Sequence, residues 1–308
     1  MNPPFLFLVT WAAILVSSCH FNPENVSPAL SKYGRLRLLM TDDPFLFWNV
    51  SSVTVTINKI ELKKKESRED DNDSTNMPVD SLDTDDSLSM GEHHHEHDPD
   101  SAMWITVLDS PMVINLSDLR NGITQELAND SIPAGTYSMI RLFISEANIM
   151  LKNGIDFDVK VPSGSESGFK VIIPSGLVVS GGSTAELLVD FNLSRSIVML
   201  GPWDHPWGFH LKPVIRALDN NSCGKVEGFV MDSSTVAING AYVWLADSEV
   251  VGSTVTEESG FYRLMGIPAG TYNLFAAKQG YDTTKIENIR VSRLGVTKID
   301  LKLNPALP

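Results

Sequence analysis

The densest collection of chemically capable side chains is Glu92-His93-His94-His95-Glu96-His97-Asp98. Neutral imidazoles beside carboxylates suit zinc, nickel or copper, so His93, His94, His95 and His97 are candidate metal ligands. A working site also needs outer groups that orient its ligands, and a polar run without regular periodicity supplies none. The competing reading is a solvated polar loop. Asp70–Ser74 and Asp83–Asp86 faintly resemble calcium loops but lack the Gly at the sharp turn and the distal Glu. A second dense stretch is Gly201-Pro-Trp-Asp-His-Pro-Trp-Gly-Phe-His210. Here Trp203, Trp207 and Phe209 offer flat faces to sugar rings, and Asp204 and His205 offer hydrogen bonds to hydroxyls. The competing reading is a loop that caps a core, since large aromatics usually bury. Asp156 and Asp158 flank Phe157 and would share one face of a strand. Paired carboxylates at a glycosidase centre also need a cleft and a raised pKa, which spacing alone does not supply. Gly164-Ser-Glu-Ser-Gly168 places Glu166 where a nucleophilic Ser would stand, and there is no HExxH or P-loop. No catalytic set and no cofactor are expected.

The elements that would carry these residues read as strands. Tyr33–Met40 is one, closed by a turn at Thr41-Asp42-Asp43-Pro44. Val53, Val55 and Ile57 alternate with polar residues, after which the apolar phase slips to Ile60 and Leu62. Such a slip turns a strand inside out, so a bulge is expected near Asn58-Lys59. Strands are expected at 103–108, 112–116, 136–145, 155–161, 169–173, 184–191 and 208–216, with one helical turn at 117–122. From about Gly224, some seven short runs between 226 and 303 are separated by turns, which is the spacing of an immunoglobulin-sized sandwich. Residues 66–100 break the pattern. They are acidic, Ser-rich and poor in apolar residues, and are read as a long insertion unable to order itself.

The net charge of −14 is concentrated in that insertion, which holds thirteen acids and one base. The rest of the chain is close to neutral. It offers no excess of basic residues for phosphates, which argues against a nucleic-acid partner. At the N-terminus, the apolar run Phe5–Val16 has the length of a signal peptide. It leads into Val16-Ser17-Ser18-Cys19, which resembles the bacterial lipobox and implies lipidation of Cys19. Residues 1–10 contain no Lys or Arg. Cys223 then has no partner for a disulfide. It lies in the linker-like stretch Asp219–Gly224 and reads as an inert thiol.

Two family resemblances follow from particular residues. Leu39-Met-Thr-Asp-Asp-Pro44, Val53–Ile57, Ile132-Pro-Ala-Gly-Thr-Tyr137, Val161-Pro-Ser-Gly164, Leu188-Val-Asp-Phe191 and Leu211-Lys-Pro-Val-Ile-Arg216 are similar to a bacterial lipoprotein family known as domain of unknown function 4382. That resemblance implies a cell-envelope lipoprotein and transfers no catalytic residue. Gly224–Val230, Gly240–Val243, Glu258–Tyr262, Ile267-Pro-Ala-Gly-Thr-Tyr272 and Gly280-Tyr281 resemble the carboxypeptidase regulatory-like domain, which implies a non-catalytic prealbumin-like sandwich. One hexapeptide, Ile-Pro-Ala-Gly-Thr-Tyr, therefore occurs in both segments. Equivalent strands after the two copies would speak for kinship, and unrelated positions for convergent turn chemistry.

These readings combine into an all-β chain with two β-sandwich domains in tandem, the second a seven-stranded prealbumin-like sandwich. The expected order is a lipoprotein signal peptide (1–19), a tether (20–31), a first sandwich (32–220) carrying the insertion 66–100, and a second sandwich (221–308). The expected role is non-enzymatic binding or structural display at the outer membrane of a Gram-negative bacterium. The membrane would be met through the N-terminal lipid, and the partner would be a glycan or another envelope protein. The alternative is a carbohydrate-binding module of a glycan-uptake system that uses the loop 201–210.

Overall fold

The structure, a computed structural model, describes residues 31–43, 50–65, 104–161, 166–202 and 205–306. Cys19, the calcium-like runs, His93–His97, Trp203 and Asp204 lie outside the described residues.

The chain is all-β and forms two sandwiches. The first uses β1 (Tyr33–Asp43), β2 (Val50–Lys64), β3 (Trp104–Leu108), β4 (Met112–Asn115), β5 (Gln125–Pro133) and β6 (Gly135–Leu151). It continues with β7 (Asp156–Asp158), β8 (Phe169–Val179), β9 (Thr184–Asn192), the four-residue helix α1 (Leu193–Ser196), a hairpin of β10 (Ile197–Leu200) and β11 (Gly208–Leu211), and β12 (Ile215–Asp219). One sheet has the order β12-β9-β1-β5. The other is centred on β2-β6, with β3 and β4 on β2 and β7 and β8 on β6. Leu36, Leu38 and Met40 of β1 and Leu187, Val189 and Phe191 of β9 share one core with Val55, Ile57 and Ile60 of β2 and Ile140, Leu142 and Ile144 of β6. The expected bulge is present. The β2–β6 register shifts between Thr56 and Ile57 and again between Ile57 and Lys59, which keeps Val55, Ile57, Ile60 and Leu62 all buried.

The second sandwich uses β13 (Cys223–Asp232), β14 (Tyr242–Ala246), β15 (Val250–Val255), β16 (Phe261–Pro268), β17 (Gly270–Ala277), β18 (Thr284–Val291), β19 (Val296–Lys298) and β20 (Leu301–Leu303). Its sheets are β16-β13 with β19 and β20, and β15-β14-β17-β18. The last expected strand is split in two. Ile299 comes so close to β13 that a Cβ on Gly228 would lie 1.8 Å from its carbonyl oxygen. Val226, Val230, Val243, Leu245, Leu264, Leu274 and Leu301 make a separate core.

The repeated hexapeptide does the same work in both sandwiches. Each copy is a corner through which the chain leaves one sheet and enters the facing one: β5 to β6, and β16 to β17. Ile132 pairs with Gly34 of β1, and Ile267 pairs with Gly224 of β13. Past the corners, Gly135 pairs with Val179 and Gly270 with Val291. The two strand-opening glycines are equally constrained, since a Cβ on Gly34 would meet the Ser180 oxygen at 2.4 Å and one on Gly224 the Ser292 oxygen at 2.3 Å. Each tyrosine hydroxyl donates to the proline carbonyl four residues back, Tyr137 to Pro133 at 2.7 Å and Tyr272 to Pro268 at 2.9 Å. The copies thus enter equivalent strands, the outcome that favours kinship.

Four local expectations are corrected. Thr41-Asp42-Asp43 is not a turn: β1 runs on through Asp43 because its ladder with β9 continues to Asn192. The stretch 219–224 is not a linker: Asp219 caps a single turn, Asn220–Ser222, and Cys223 already belongs to β13. The strand expected over 208–216 is interrupted, since Pro213 has no N–H and the flanking Lys212 and Val214 amides donate to the Ser196 carbonyl and hydroxyl instead. β5, poor in β-formers, was not expected; its partner β1 holds it by backbone pairing and by Arg37 to Glu126 at 2.8 Å.

Tyr137 is fully buried whereas Tyr272 is partly exposed. Loss of a buried hydrogen bond costs about 1 kcal/mol, and water replaces it where it can reach. Tyr137→Phe is therefore expected to lower the unfolding free energy by about 1 kcal/mol, and Tyr272→Phe by clearly less. Urea denaturation of the two variants checks the order.

Candidate functional site

The junction of the two sandwiches gathers three of the four buried carboxylates among the described residues, Asp42, Asp43 and Asp190. Both sandwiches lie in one compact unit, Ser31–Pro308. Along β1, Arg35 and Arg37 alternate with buried Leu36 and Leu38, but from Leu38 to Asp43 every residue is buried. The ladder with β9 places Leu39 beside Leu188, Thr41 beside Asp190 and Asp43 beside Asn192 on the face away from the first core. The second sandwich covers that face. A Cβ on Gly266 would come within 2.8 Å of Leu188 and 3.2 Å of Leu218.

Two carboxylates, Asp43 and Asp190, and one guanidinium lie there, with Asp42 beside them on the opposite face of β1. Asp43, 4% exposed, accepts from the Ser253 hydroxyl of β15 and, at 2.6 Å, from the Asn192 amide. Asp190 accepts from Nε of Arg216 at 3.0 Å and from a terminal nitrogen of the same guanidinium, which also donates to the Val251 carbonyl across the junction. One oxygen of Asp42 accepts from the Leu193 amide at 3.1 Å, while its other oxygen is buried without a partner among the described residues. A second contact point lies beside this cluster. The Asn121 side chain donates to Glu257 at 2.7 Å and accepts from the Arg263 amide at 2.5 Å. A cavity of about 20 Å³, room for about one water, is lined by residues of both points, including Asp42, Asp190 and Arg263.

This surroundings sets the protonation. Burial, reinforced by the Asp190 charge, pushes Asp43 up to about 7 against the opposing pull of Ser253 and Arg216. Burial holds Asp42 well above the usual carboxylate range, with the charges of Asp190 and Asp43 adding to it. Next to the cluster, a groove of about 430 Å³ opens between the sandwiches. It is lined by Asp43, Asn192, Ser194 and Arg195 from one side and Tyr242, Glu249 and Val250 from the other. The Tyr242 ring stacks on Trp244 at 5.1 Å, and Trp244 on Phe275 at 5.0 Å.

The residues singled out from sequence do not meet here. Trp207 is 79% exposed in the β10–β11 connection, with its ring against Gly201, and His205 is exposed in the same loop. Phe209 does not join them as a platform: it is buried and packs edge-on to Phe157 at 5.2 Å, because alternation along β11 turns it into the core. Asp156 and Asp158 are exposed on β7, while Phe157 packs against the core. Cys223 is buried, and burial pushes its thiol up to about 11, where it is no nucleophile at neutral pH. Among the described residues no group of three or more His, Cys, Asp or Glu is arranged to hold a metal ion. Asp42, Asp43, Asp190 and Arg216 did leave a signal in the sequence: an acid inside an apolar strand, as in Leu187-Leu-Val-Asp-Phe191, needs a buried partner.

Residues 33–213 match the family described as Domain of unknown function (DUF4382). The chain belongs to that family. Residues 225–304 match the Carboxypeptidase regulatory-like domain. The junction draws on three of the segments that carry the first resemblance: Asp42 and Asp43, Asp190, and Arg216. No curated protein matches the chain. Among solved structures, a cohesin–X-dockerin complex from Acetivibrio cellulolyticus is 22% identical over 26% of this chain, with a TM-score of 0.23. The chain spans 56% of that chain's length. The minor pilin GBS52 of Streptococcus agalactiae is 9% identical, covering 88% of this chain and 97% of its own, with a TM-score of 0.23. The major pilin subunit BcpA of Bacillus cereus is 12% identical, covering 90% and 71%, with a TM-score of 0.24. Likenesses this distant carry no argument about activity or partners.

Asp43 yields a pH prediction. Its folded pKa, about 7, stands above the ordinary carboxylate value of about 4. Its contribution to stability is therefore full below about pH 4, falls as pH rises toward 7, and stays low above that. Asp190 and Arg216 remain in Asp43→Asn, and loss of the Asp43 charge also lets the Asp42 pKa fall, which acts in the same direction. The melting temperature of Asp43→Asn relative to wild type is expected to rise from pH 4 to pH 8. A difference that does not change with pH would contradict the assignment.

Proposed function

We propose that this protein is a non-enzymatic cell-envelope lipoprotein, held at the outer membrane of a Gram-negative bacterium by a lipid on Cys19, whose two sandwiches act together as a binding and display unit. The observation that carries this reading is the junction. Its charged side chains are spent on holding one sandwich against the other through Asp43–Ser253, Arg216–Val251 and Asn121–Glu257. With one 3-10 turn between β12 and β13, the pair moves as a unit and offers loops and grooves at fixed spacing. The lipobox-like Val16-Ser17-Ser18-Cys19 supports the anchor, since acyl chains give stable attachment when more than one is present. Metabolic labelling with a palmitate analogue is expected to mark the wild type and not Cys19→Ala, and the variant is expected in the soluble fraction. Unchanged membrane association of Cys19→Ala would refute the anchor.

A second reading, a carbohydrate-binding module of a glycan-uptake system, is favoured by one observation: Trp207, with 79% of its surface exposed, sits in a loop with exposed His205. Trp203 and Asp204 belong to the same segment. An indole is costly to leave in water and is common where ligands dock. Trp207→Ala is expected to abolish glycan-array signals if this loop is the platform. An unchanged array would remove the loop from consideration.

A further inference from the structure

We propose that the groove between the two sandwiches, at Tyr242 and Arg195, is a binding site for a neutral oligosaccharide. The proposal goes beyond the anchored display unit and is independent of the loop that carries Trp207. The volume, about 430 Å³, falls in the range of small-molecule pockets. Its walls come from different sandwiches, so the site exists only in the assembled unit.

The lining is mixed in the way a polyol requires. Arg195 contributes guanidinium donors, and Glu249 contributes acceptors. Both are exposed, and neither has an ion-pair partner among the described residues. Ser194 and Tyr242 add hydroxyl oxygens; the Ser194 proton is given to Asn192, which leaves that oxygen as an acceptor. A vicinal diol presents donors and acceptors together and satisfies such a set. An anionic ligand would meet Glu249, and a cationic one Arg195, so opposed charges select against both. The apolar part of the wall is the Tyr242 ring with Val250. Stacking on Trp244, itself stacked on Phe275, holds that ring in place before any ligand arrives. The backbone that carries Arg195 is also placed in advance. Asn192 caps its turn by accepting from the Arg195 amide at 3.0 Å, and the same oxygen accepts from the Ser194 hydroxyl at 2.8 Å.

Isothermal titration of the intact protein with cellohexaose, maltohexaose, xylohexaose and mannohexaose tests the assignment. At least one is expected to bind. Removing a charged hydrogen-bonding group then weakens binding about ten-fold or more in Arg195→Ala. Tyr242→Ala is expected to act in the same direction, and Glu249→Gln to weaken binding less. Because Tyr242 stands close to Ser253 and the junction, the exposed positions Arg195 and Glu249 keep the test decisive if Tyr242→Ala does not fold. Trp207→Ala tells the two places apart: with the sugar in the groove, affinity stays within about two-fold of the wild type, well under 1 kcal/mol. Binding that survives Arg195→Ala but is lost in Trp207→Ala would move the site to the β10–β11 loop and overturn the proposal. Failure of all four sugars to bind would overturn it as well, and would leave the lipid anchor untouched.

Discussion

Each sandwich depends on a corner at which the chain must leave one sheet and enter the facing one within three residues. Pro and Gly make the backbone turn, but a sharp corner strands a carbonyl that neither sheet can pair. In both sandwiches a tyrosine four residues on donates to that carbonyl, Tyr137 to Pro133 and Tyr272 to Pro268. One ring thereby fills the core beside the turn while its hydroxyl closes the polar account of the backbone. The partner of the incoming strand must then come very close, which is why Gly34 and Gly224 open β1 and β13. The shared hexapeptide is the visible part of a larger equivalence that includes register, glycine contacts and corner geometry.

The sandwiches differ most where they meet. A sandwich normally presents a polar outer face to water, and β1 does so at Arg35 and Arg37. Beyond Leu38 that face is covered by β15 and β16, and the charges it carries must find partners across the junction or lose their ionisation. Arg216 takes both routes, pairing with Asp190 in its own sandwich and with the Val251 carbonyl in the other. Burial raises the pKa of Asp42 and Asp43, and the surplus of carboxylates over the one guanidinium adds to it. Burying such groups is a weak source of stability, and one oxygen of Asp42 stays without a partner among the described residues.

The fold was largely legible because alternation and turn residues are local signals. The slip from Ile57 to Ile60 announced the bulge in β2, and the seven runs after Gly224 announced the second sandwich. β5 was illegible for the opposite reason: Gln125-Glu-Leu-Ala-Asn-Asp has little strand character of its own and is a strand because β1 pairs with it. Asp42 and Asp43 looked like a turn because Asp-Asp-Pro is turn chemistry in isolation. The ladder to Asn192, 149 residues further on, overrides it.

The period-two patterning, the two corners, the location of excess charge in residues 66–100 and the family to which the chain belongs can all be read from the order of residues. These are properties of residue type and short spacing. That Asp42, Asp43, Asp190 and Arg216 are neighbours, that Phe209 is core while Trp207 is exposed, and that a groove opens beside Tyr242 emerges in the folded chain alone. The reason is that desolvation and contact between sandwiches depend on which surfaces meet. Residues 42, 190 and 253 share an environment only because two sheets, built far apart in the chain, are pressed together.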